Sequence, residues 1–150
     1  MSIDKDINQS KFRNEHQRAF VNLIYTYNWA TEKFKAFLLC EDLTMQQFNI
    51  LRILRGSEEP LSTLQIRARM LDKMSDTSRI VDRLVLKGLA QKCISKEDKR
   101  LVDVTISAAG KVLLARLDQK SDAFDQIIGA ITSEEATELN RLLDKIRNSH

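Results

Sequence analysis

The chain has 150 residues, of which 43% are hydrophobic and 30% are charged, an ordinary composition for one folded domain with its own core. It contains no apolar run close to the roughly 20 residues that cross a bilayer, and the polar residues 1–9 do not resemble a secretory signal. We therefore expect a cytoplasmic protein without a membrane span.

A long amphipathic helix is predicted for residues 10–41. This stretch lacks Gly and Pro, and its apolar residues recur at intervals of three or four, as on one face of a helix. They are Phe20, Leu23, Ile24, Tyr27, Ala30, Phe34, Phe37 and Leu38. One small core cannot cover a stripe of that length, so we expect part of it to pack against a second copy of the chain.

The next two helices are each introduced by a capping box, in which a Ser or Thr and a Gln three positions later bond to each other's backbone. Thr44 and Gln47 open a helix that Gly56 is expected to end. Ser62 and Gln65 open another, which should run to about residue 71. Its predicted apolar face consists of Leu64, Ala68 and Leu71.

Residues 75–87 are predicted to form a helix with two different faces. Ser75 is the expected N-cap, and Gly88 is the expected residue just beyond the C-terminal end. The apolar face contains Thr77, Ile80, Val81, Leu84 and Val85. The polar face contains Asp76, Arg79, Arg83 and Lys87, and we expect no other part of the chain to cover it.

Two helices joined by a tight turn, with a basic face on the second, are typical of a helix-turn-helix, whose second helix reads base edges in the major groove. Residues 65–100 contain ten Lys and Arg against five Asp and Glu, so their net charge is +5 and that of the remainder is −2. The alternative is an ordinary helical protein with solvated charges. The residues predicted to contact DNA here are Ser75, Asp76, Ser78, Arg79 and Arg83, with Ser62 or Thr63 on phosphate.

Alternating apolar and polar residues predict two strands, at about residues 90–95 and 101–107, that pair as a hairpin. A hairpin directly after a recognition helix is the wing of a winged helix. Leu61 is placed to add a short third strand.

The tip of the predicted wing, residues 96–100, is highly charged. Lys99 and Arg100 are predicted to contact the minor groove or phosphates, and Asp98 to pair with Arg100 or with Arg79. An ordinary solvated turn is the alternative.

Helical periodicity returns after Gly110 and predicts one long helix as far as Ile131. Thr132 and Glu135 form a third capping box, which opens a last helix. We expect the first helix and these last two to interlock with a symmetry mate.

These motifs in combination resemble the multiple antibiotic resistance regulator (MarR) family of bacterial winged-helix transcription factors. The family pattern has Arg-x-x-x-Arg-Leu before Lys-Gly-Leu, then an Asp-x-Arg wing and a strand leading into Leu-Thr-x-x-Gly. Residues 79–84, 87–89 and 98–100 match it, and residues 106–110 stand in for the last part. The resemblance covers nearly the whole chain. Asp76 departs from it, because the family often carries neutral small residues there, and an Asp can accept a hydrogen bond from cytosine N4.

The resemblance implies a mainly α fold with a small antiparallel β wing, and a single domain over residues 1–150. The winged helix-turn-helix would occupy residues 44–107, with the recognition helix at about 75–87 and the wing at about 90–107. It would be flanked by dimerisation helices at residues 10–41 and 108–148.

The same resemblance implies a homodimeric regulator, more often a repressor than an activator, that binds a pseudopalindromic double-stranded DNA operator. It also implies release by a small aromatic or phenolic effector. Tyr25, Trp29 and Phe48 are the aromatic residues predicted to line such a pocket, and plain core packing is the alternative for each.

Other chemistry is sparse. Cys40 and Cys93 are far apart and His16 and His150 are isolated, so neither a metal site nor a disulfide framework is indicated. The resemblance implies a redox role for Cys40, because some family members sense oxidants through a cysteine in the first helix. The alternative is a plain buried cysteine. We expect no cofactor and no enzymatic activity. Two rival functions are an interaction module whose basic face binds an acidic protein, and an enzyme that uses Cys93 or the carboxylates.

Overall fold

The computed structural model describes residues 2–96, 98 and 102–148. Most of these residues are helical, and a small antiparallel sheet completes the structure, so the expected fold class is confirmed. The helices are α1 (Ile3–Asp6), α2 (Glu15–Leu38), α3 (Met45–Arg55), α4 (Thr63–Arg69), α5 (Thr77–Leu86), α6 (Ala108–Asp118), α7 (Ser121–Asp125) and α8 (Ser133–Arg147), with a 3-10 turn at Leu39–Glu41. The strands are β1 (Leu61–Ser62), β2 (Ala90–Ile94) and β3 (Val102–Ile106).

The chain divides into two compact units. The first contains residues 1–34 and 125–150, and the second contains residues 35–124. The second unit therefore carries the predicted recognition helix and the sheet.

The sheet has the strand order β1-β3-β2, and both pairs are antiparallel. Leu61 pairs with Val104, which confirms the expected third strand. Both of these side chains are buried, so this strand pair contributes to the core.

Helices α3, α4, α5 and α6 each contribute one face to the core of the second unit. On α3, α5 and α6 the buried residues recur at intervals of three or four, as the periodicity predicts. The apolar face of α5 is thus seated on the core, which leaves its polar face outward. The most deeply buried side chains are Leu38, Ile50, Leu51, Ile66, Met70, Val81, Leu84, Val104 and Leu114.

The three predicted capping boxes are confirmed. In the first, the backbone N–H of Gln47 donates to Thr44 Oγ1 and the backbone N–H of Thr44 donates to Gln47 Oε1, both at 3.1 Å. The equivalent reciprocal bonds join Ser62 to Gln65 and Thr132 to Glu135. Each pair satisfies two backbone donors that a helix start leaves unpaired.

The predicted apolar face of α4 is wrong. Leu64, Ala68 and Leu71 are exposed, and the buried residues are Ile66 and Met70. Both sets have helical spacing, and α4 buries the side that contacts α3, α5 and the sheet. Met70 and Leu71 both lie beyond Arg69, the last helical residue, so helical periodicity does not decide which of the two is buried.

The single long helix predicted between Gly110 and Ile131 is also wrong. Helix α6 ends at Asp118, the short helix α7 follows at Ser121–Asp125, and residues 126–131 form turns. The first break lies at residues 119 and 120, a Gln and a Lys that are good helix formers, and the second lies near Gly129, which is a poor one. Apolar spacing alone reveals neither break.

Helix α2 begins at Glu15 rather than at residue 10. The Asn14 side chain accepts a hydrogen bond from the backbone N–H of Gln17 at 2.9 Å, as an N-cap does. Within the first unit, α1 is joined to α2 by an ion pair between Asp4 and Arg18 at 2.8 Å.

Candidate nucleic-acid interface

The turn between α4 and α5 is organised by the side chain of Asp72. Its carboxylate accepts hydrogen bonds from the backbone N–H of Met74, at 3.0 Å, and from the hydroxyl of Ser75, at 2.9 Å. Asn49 of α3 accepts a further bond from the backbone N–H of Leu71 at 2.9 Å. These bonds fix the turn that sets the direction of α5. The sequence reasoning missed Asp72 and Asn49, although an Asp in a turn before a helix is a usable indication of such bonding.

Helix α5 is capped by Asp76, and the expectation that Ser75 is the N-cap is wrong. Asp76 Oδ1 accepts a hydrogen bond from the backbone N–H of Arg79 at 3.2 Å. The hydroxyl of Ser75 is instead used by Asp72. An acidic N-cap also interacts favourably with the positive end of the helix dipole.

The C-terminal end of α5 follows the expectation for Gly88, which has a φ of +71°. Its N–H donates to Val85 O, and the N–H of Leu89 donates to Leu84 O, both at 2.9 Å. This pair of bonds is a Schellman motif, which needs a residue in the left-handed conformation. Both ends of α5 are therefore fixed by local hydrogen bonds.

The outer face of α5 carries the predicted base-contacting side chains. Ser78, Arg79 and Arg83 are exposed, whereas Thr77 is buried. Among the residues that the structure describes, neither guanidinium group of Arg79 and Arg83 has an ion-pair or hydrogen-bond partner. Two arginines about one helical turn apart are thus available to an anionic partner.

Lys87 differs from the other basic residues of this helix. Its ammonium donates to the carboxylate of Asp42 at 2.9 Å and to the backbone carbonyl of the same residue. The expectation that nothing covers the polar face is therefore wrong at Lys87, which ties the end of α5 to the segment before α3. On the same helix, Asp82 forms an ion pair of 2.5 Å with Lys92 of β2.

The wing hairpin pairs Ala90 with Ile106 at its base and Ile94 with Val102 near its tip. Asp98 is exposed. The predicted contacts of Lys99 and Arg100 lie outside the described residues, as does the pairing of Asp98 with Arg100.

Ser107 is the N-cap of α6. The sequence had predicted that this residue ends the second strand of the hairpin. Its hydroxyl accepts from the backbone N–H of Gly110 at 3.0 Å and donates to the carbonyl of Gly88 at 2.6 Å. The start of α6 is thereby joined to the end of the predicted recognition helix.

Ser62 and Thr63 lie at the start of α4 and are partly exposed. The Ser62 hydroxyl already accepts from the backbone N–H of Gln65, at 3.3 Å, so a phosphate contact would use it as a donor. A cleft of about 330 Å³ lies between α4 and the start of α5. The residues lining it include Thr63, Leu64, Arg67, Met74, Ser75 and Ser78.

Two bidentate ion pairs brace α6 within the second unit. Arg116 donates to both carboxylate oxygens of Glu41, at 2.7 and 3.2 Å, and these bonds lower the pKa of Glu41 below its usual 4.5. Arg55 of α3 likewise donates to Asp118, at 2.5 and 3.2 Å, and lowers the pKa of that carboxyl below 3.8. These surface ion pairs therefore link α6 to the 3-10 turn and to α3.

The aromatic residues predicted for an effector pocket belong to different units. Tyr25 and Trp29 are exposed on α2, so the alternative of plain core packing is wrong for both in the single chain. Phe48 on α3 is partly buried, with the Arg52 guanidinium 5.8 Å from its ring centroid.

The cysteines are both exposed, which contradicts the interpretation of Cys40 as a plain buried residue. Lys120 Nζ lies 3.4 Å from Cys40 Sγ. Within the described ranges, no group of three or more His, Cys, Asp or Glu side chains is arranged to hold a metal ion. The same residues include no helix that is both long and apolar enough to cross a membrane.

A helix-turn-helix followed directly by an antiparallel hairpin defines a winged helix, a class of DNA-binding fold. Residues 41–101 match the model of the MarR family. The MarR transcription factor of Planctomyces limnophilus is 31% identical, with 89% of this chain and 98% of that chain covered and a TM-score of 0.67. The chain belongs to the MarR family and is a DNA-binding transcriptional regulator, so the expectation that it is not an enzyme is confirmed.

Two more distant relatives complete the comparison. The HTH-type transcriptional repressor IacR of Pseudomonas putida is 26% identical over 117 residues, which are 77% of this chain and 70% of that protein. BpsR of Bordetella bronchiseptica, in a structure concerned with the regulation of its DNA binding by 6-hydroxynicotinic acid, is 20% identical with a TM-score of 0.79. That alignment covers 94% of this chain and all of the other, and at this identity it shows only that the two proteins share a fold.

Proposed function

We propose that the protein is a homodimeric repressor that binds a pseudopalindromic operator and leaves it when an aromatic small molecule binds. The observation that carries this proposal is the pair of exposed arginines, Arg79 and Arg83, on a helix fixed at both ends by Asp76 and Gly88. The name of the relative IacR supports the repressor assignment.

In this proposal the start of α5 lies in the major groove. Arg79 and Arg83 bind guanine edges or phosphates, while Asp76 and Ser78 contact neighbouring bases. The predicted phosphate contacts come from Ser62 or Thr63, and the wing residues Asp98, Lys99 and Arg100 serve the adjacent minor groove or backbone.

The first experiment is selection of bound sequences from a pool of random duplexes at two salt concentrations. We expect enrichment of a pseudopalindrome and an affinity that falls steeply with salt, because phosphate contacts release counterions. Salt-sensitive binding without enrichment would instead support the rival interaction module. An absence of binding would overturn the proposal.

The role of Arg79 is tested on the selected operator. Arg79→Ala should cost about 1–3 kcal/mol of binding free energy and relax the preference at one base pair per half-site. Arg141→Ala on α8 is the matched control, because it removes the same charge from an exposed arginine of the other unit. Equal losses on operator and random DNA for Arg79→Ala would reject base reading.

The homodimer is supported by exposed apolar residues of the first unit. On α2 they recur at helical spacing, and α8 has a similar set in Leu139, Leu142 and Ile146. An apolar stripe of this kind marks an association surface. The α2 residues are Phe20, Leu23, Ile24 and Tyr27.

Sedimentation at micromolar concentration tests the dimer. Phe20→Asp should shift the chain towards the monomer and weaken operator binding, because it places a charge in the apolar stripe. Asn22→Asp adds the same charge to the opposite side of α2 and should leave the dimer intact. A monomeric wild-type protein would contradict the proposal.

The effector proposal is supported by the exposed Tyr25 and Trp29, and by the aromatic ligand that regulates the relative BpsR. Trp29 is the only tryptophan in the sequence, so its fluorescence reports on binding near it. Titration with 6-hydroxynicotinate or phenol should change this emission and release labelled operator, whereas acetate should do neither. If Ala substitutions at Tyr25, Trp29 and Phe48 left release by these compounds unchanged, the pocket assignment would be wrong.

A further inference from the structure

Two large apolar side chains stand exposed beside the proposed recognition surface. Leu64 near the start of α4 is 74% exposed, and Met74 in the turn before α5 is 90% exposed. Both line the cleft of about 330 Å³ between α4 and α5. They therefore border the same cleft, although they are ten positions apart in sequence.

The fold itself does not account for this exposure. Helix α4 reaches the core through Ile66 and Met70, so Leu64 is not needed for packing there. Met74 contributes its backbone N–H to the bond with Asp72, and many other side chains would allow that bond. Single exposed apolar residues are common, but two in one cleft indicate a ligand surface.

The charge around the cleft indicates the class of ligand. Arg67 and Asp76 line the cleft and offset each other, but the whole segment from residue 65 to 100 has an excess of positive charge. This charge favours a polyanion over a second protein surface. Double-stranded DNA offers one apolar group in the major groove, the C5 methyl of thymine.

We propose that Leu64 and Met74 contact the C5 methyl group of a thymine beside the base pair read by Arg79, and so help to determine the operator sequence. This inference rests on the proposed function, because it requires α5 to lie in the major groove. The two residues are specificity determinants that use apolar contact, in addition to the hydrogen bonds expected from Arg79 and Asp76.

The test removes single methyl groups from DNA. Each thymine of the selected operator is replaced in turn by deoxyuridine, which keeps base pairing and lacks the methyl. Wild-type protein should lose affinity about fourfold at one position per half-site, the factor that corresponds to one buried methyl group. Met74→Ala and Leu64→Ala should bind the thymine and uracil operators with more nearly equal affinity.

Leu86→Ala is the matched control, because Leu86 is 87% exposed at the opposite end of α5. It should retain the full difference between thymine and uracil. The thermal midpoint of each variant should match the wild type, since all three side chains are exposed.

An enriched operator whose affinity is insensitive to every uracil replacement would overturn this inference while leaving the regulator intact. The same holds if both Ala variants keep the wild-type preference for thymine. Failure to enrich any operator would instead refute the proposed function, and this inference with it.

Discussion

Replacement of Gly110 by Ala tests how closely α6 approaches the segment that follows α5. A Cβ atom at this position would lie 2.3 Å from Leu89 O and 2.8 Å from Ile106 Cγ1. Real Cβ atoms essentially never come within 3.0 Å of another heavy atom in this way. The Leu89 carbonyl cannot retreat freely, because it accepts the backbone N–H of Ser107 at 3.0 Å.

The sign of the effect is opposite to that expected from helix propensity. Ala in place of Gly normally favours a helix by about 1 kcal/mol. Here overpacking costs about 1–3 kcal/mol, and weakening of the Ser107 to Leu89 hydrogen bond adds about 1 kcal/mol. We therefore expect Gly110→Ala to lower the free energy of unfolding by about 2 kcal/mol on balance.

Urea denaturation followed by circular dichroism measures this loss, at one fixed protein concentration because a dimer's stability depends on concentration. Gly56→Ala is the control, since its φ is −81° and the nearest atom to an added Cβ is at 3.4 Å. It should change stability by less than about 0.5 kcal/mol. Gly110→Ala with wild-type or higher stability would refute the close-packing argument.

Three further predictions concern caps and an ion pair. Asp76→Ala should cost about 1 kcal/mol of stability by urea denaturation, while Asp76→Ser should restore most of it because Ser also caps. Ser107→Ala should cost about 1–2 kcal/mol in the same assay, because it also leaves the Gly88 carbonyl without its donor. Glu41 has a lowered pKa in the folded state, so its pairing with Arg116 stabilises fully above pH 4.5 and is lost as pH falls through the lower, folded pKa. Glu41→Gln should therefore have a thermal midpoint that varies less below pH 4.5 than that of wild type, and identical profiles would contradict this role.

The features that could be predicted from sequence are those decided within a few residues. A capping box such as that of Thr44 and Gln47 is closed by side chains three positions apart, so it needs no tertiary information. Gly88 similarly terminates α5 through local bonds in a conformation that glycine adopts without strain. The apolar periodicity of α5 likewise predicts a helix and its buried side, because the apolar and polar residues lie on separate faces.

The predictions that failed depend on which neighbour an element meets. On α4 the pairs Leu64–Ala68 and Ile66–Met70 are both four apart, and only the placement of α3 and the sheet decides which is buried. The break after Asp118 has the same character, because the apolar residues on either side keep a helical interval across it. Periodicity reports which residues are apolar, and it does not report where the chain turns.

The N-cap of α5 was predicted to be Ser75 and is Asp76, and this difference matters for the proposed recognition of DNA. Ser75 and Asp76 are both good N-cap residues, and the choice falls on Asp76 because Asp72 already binds the Ser75 hydroxyl. The Asp76 carboxylate has two oxygens, and the backbone of Arg79 uses Oδ1. In the proposed complex with DNA, Oδ2 would therefore still be able to accept a hydrogen bond from a base such as cytosine. We therefore expect Asp76, although its charge repels phosphate, to favour cytosine at the base pair that it faces in the proposed complex.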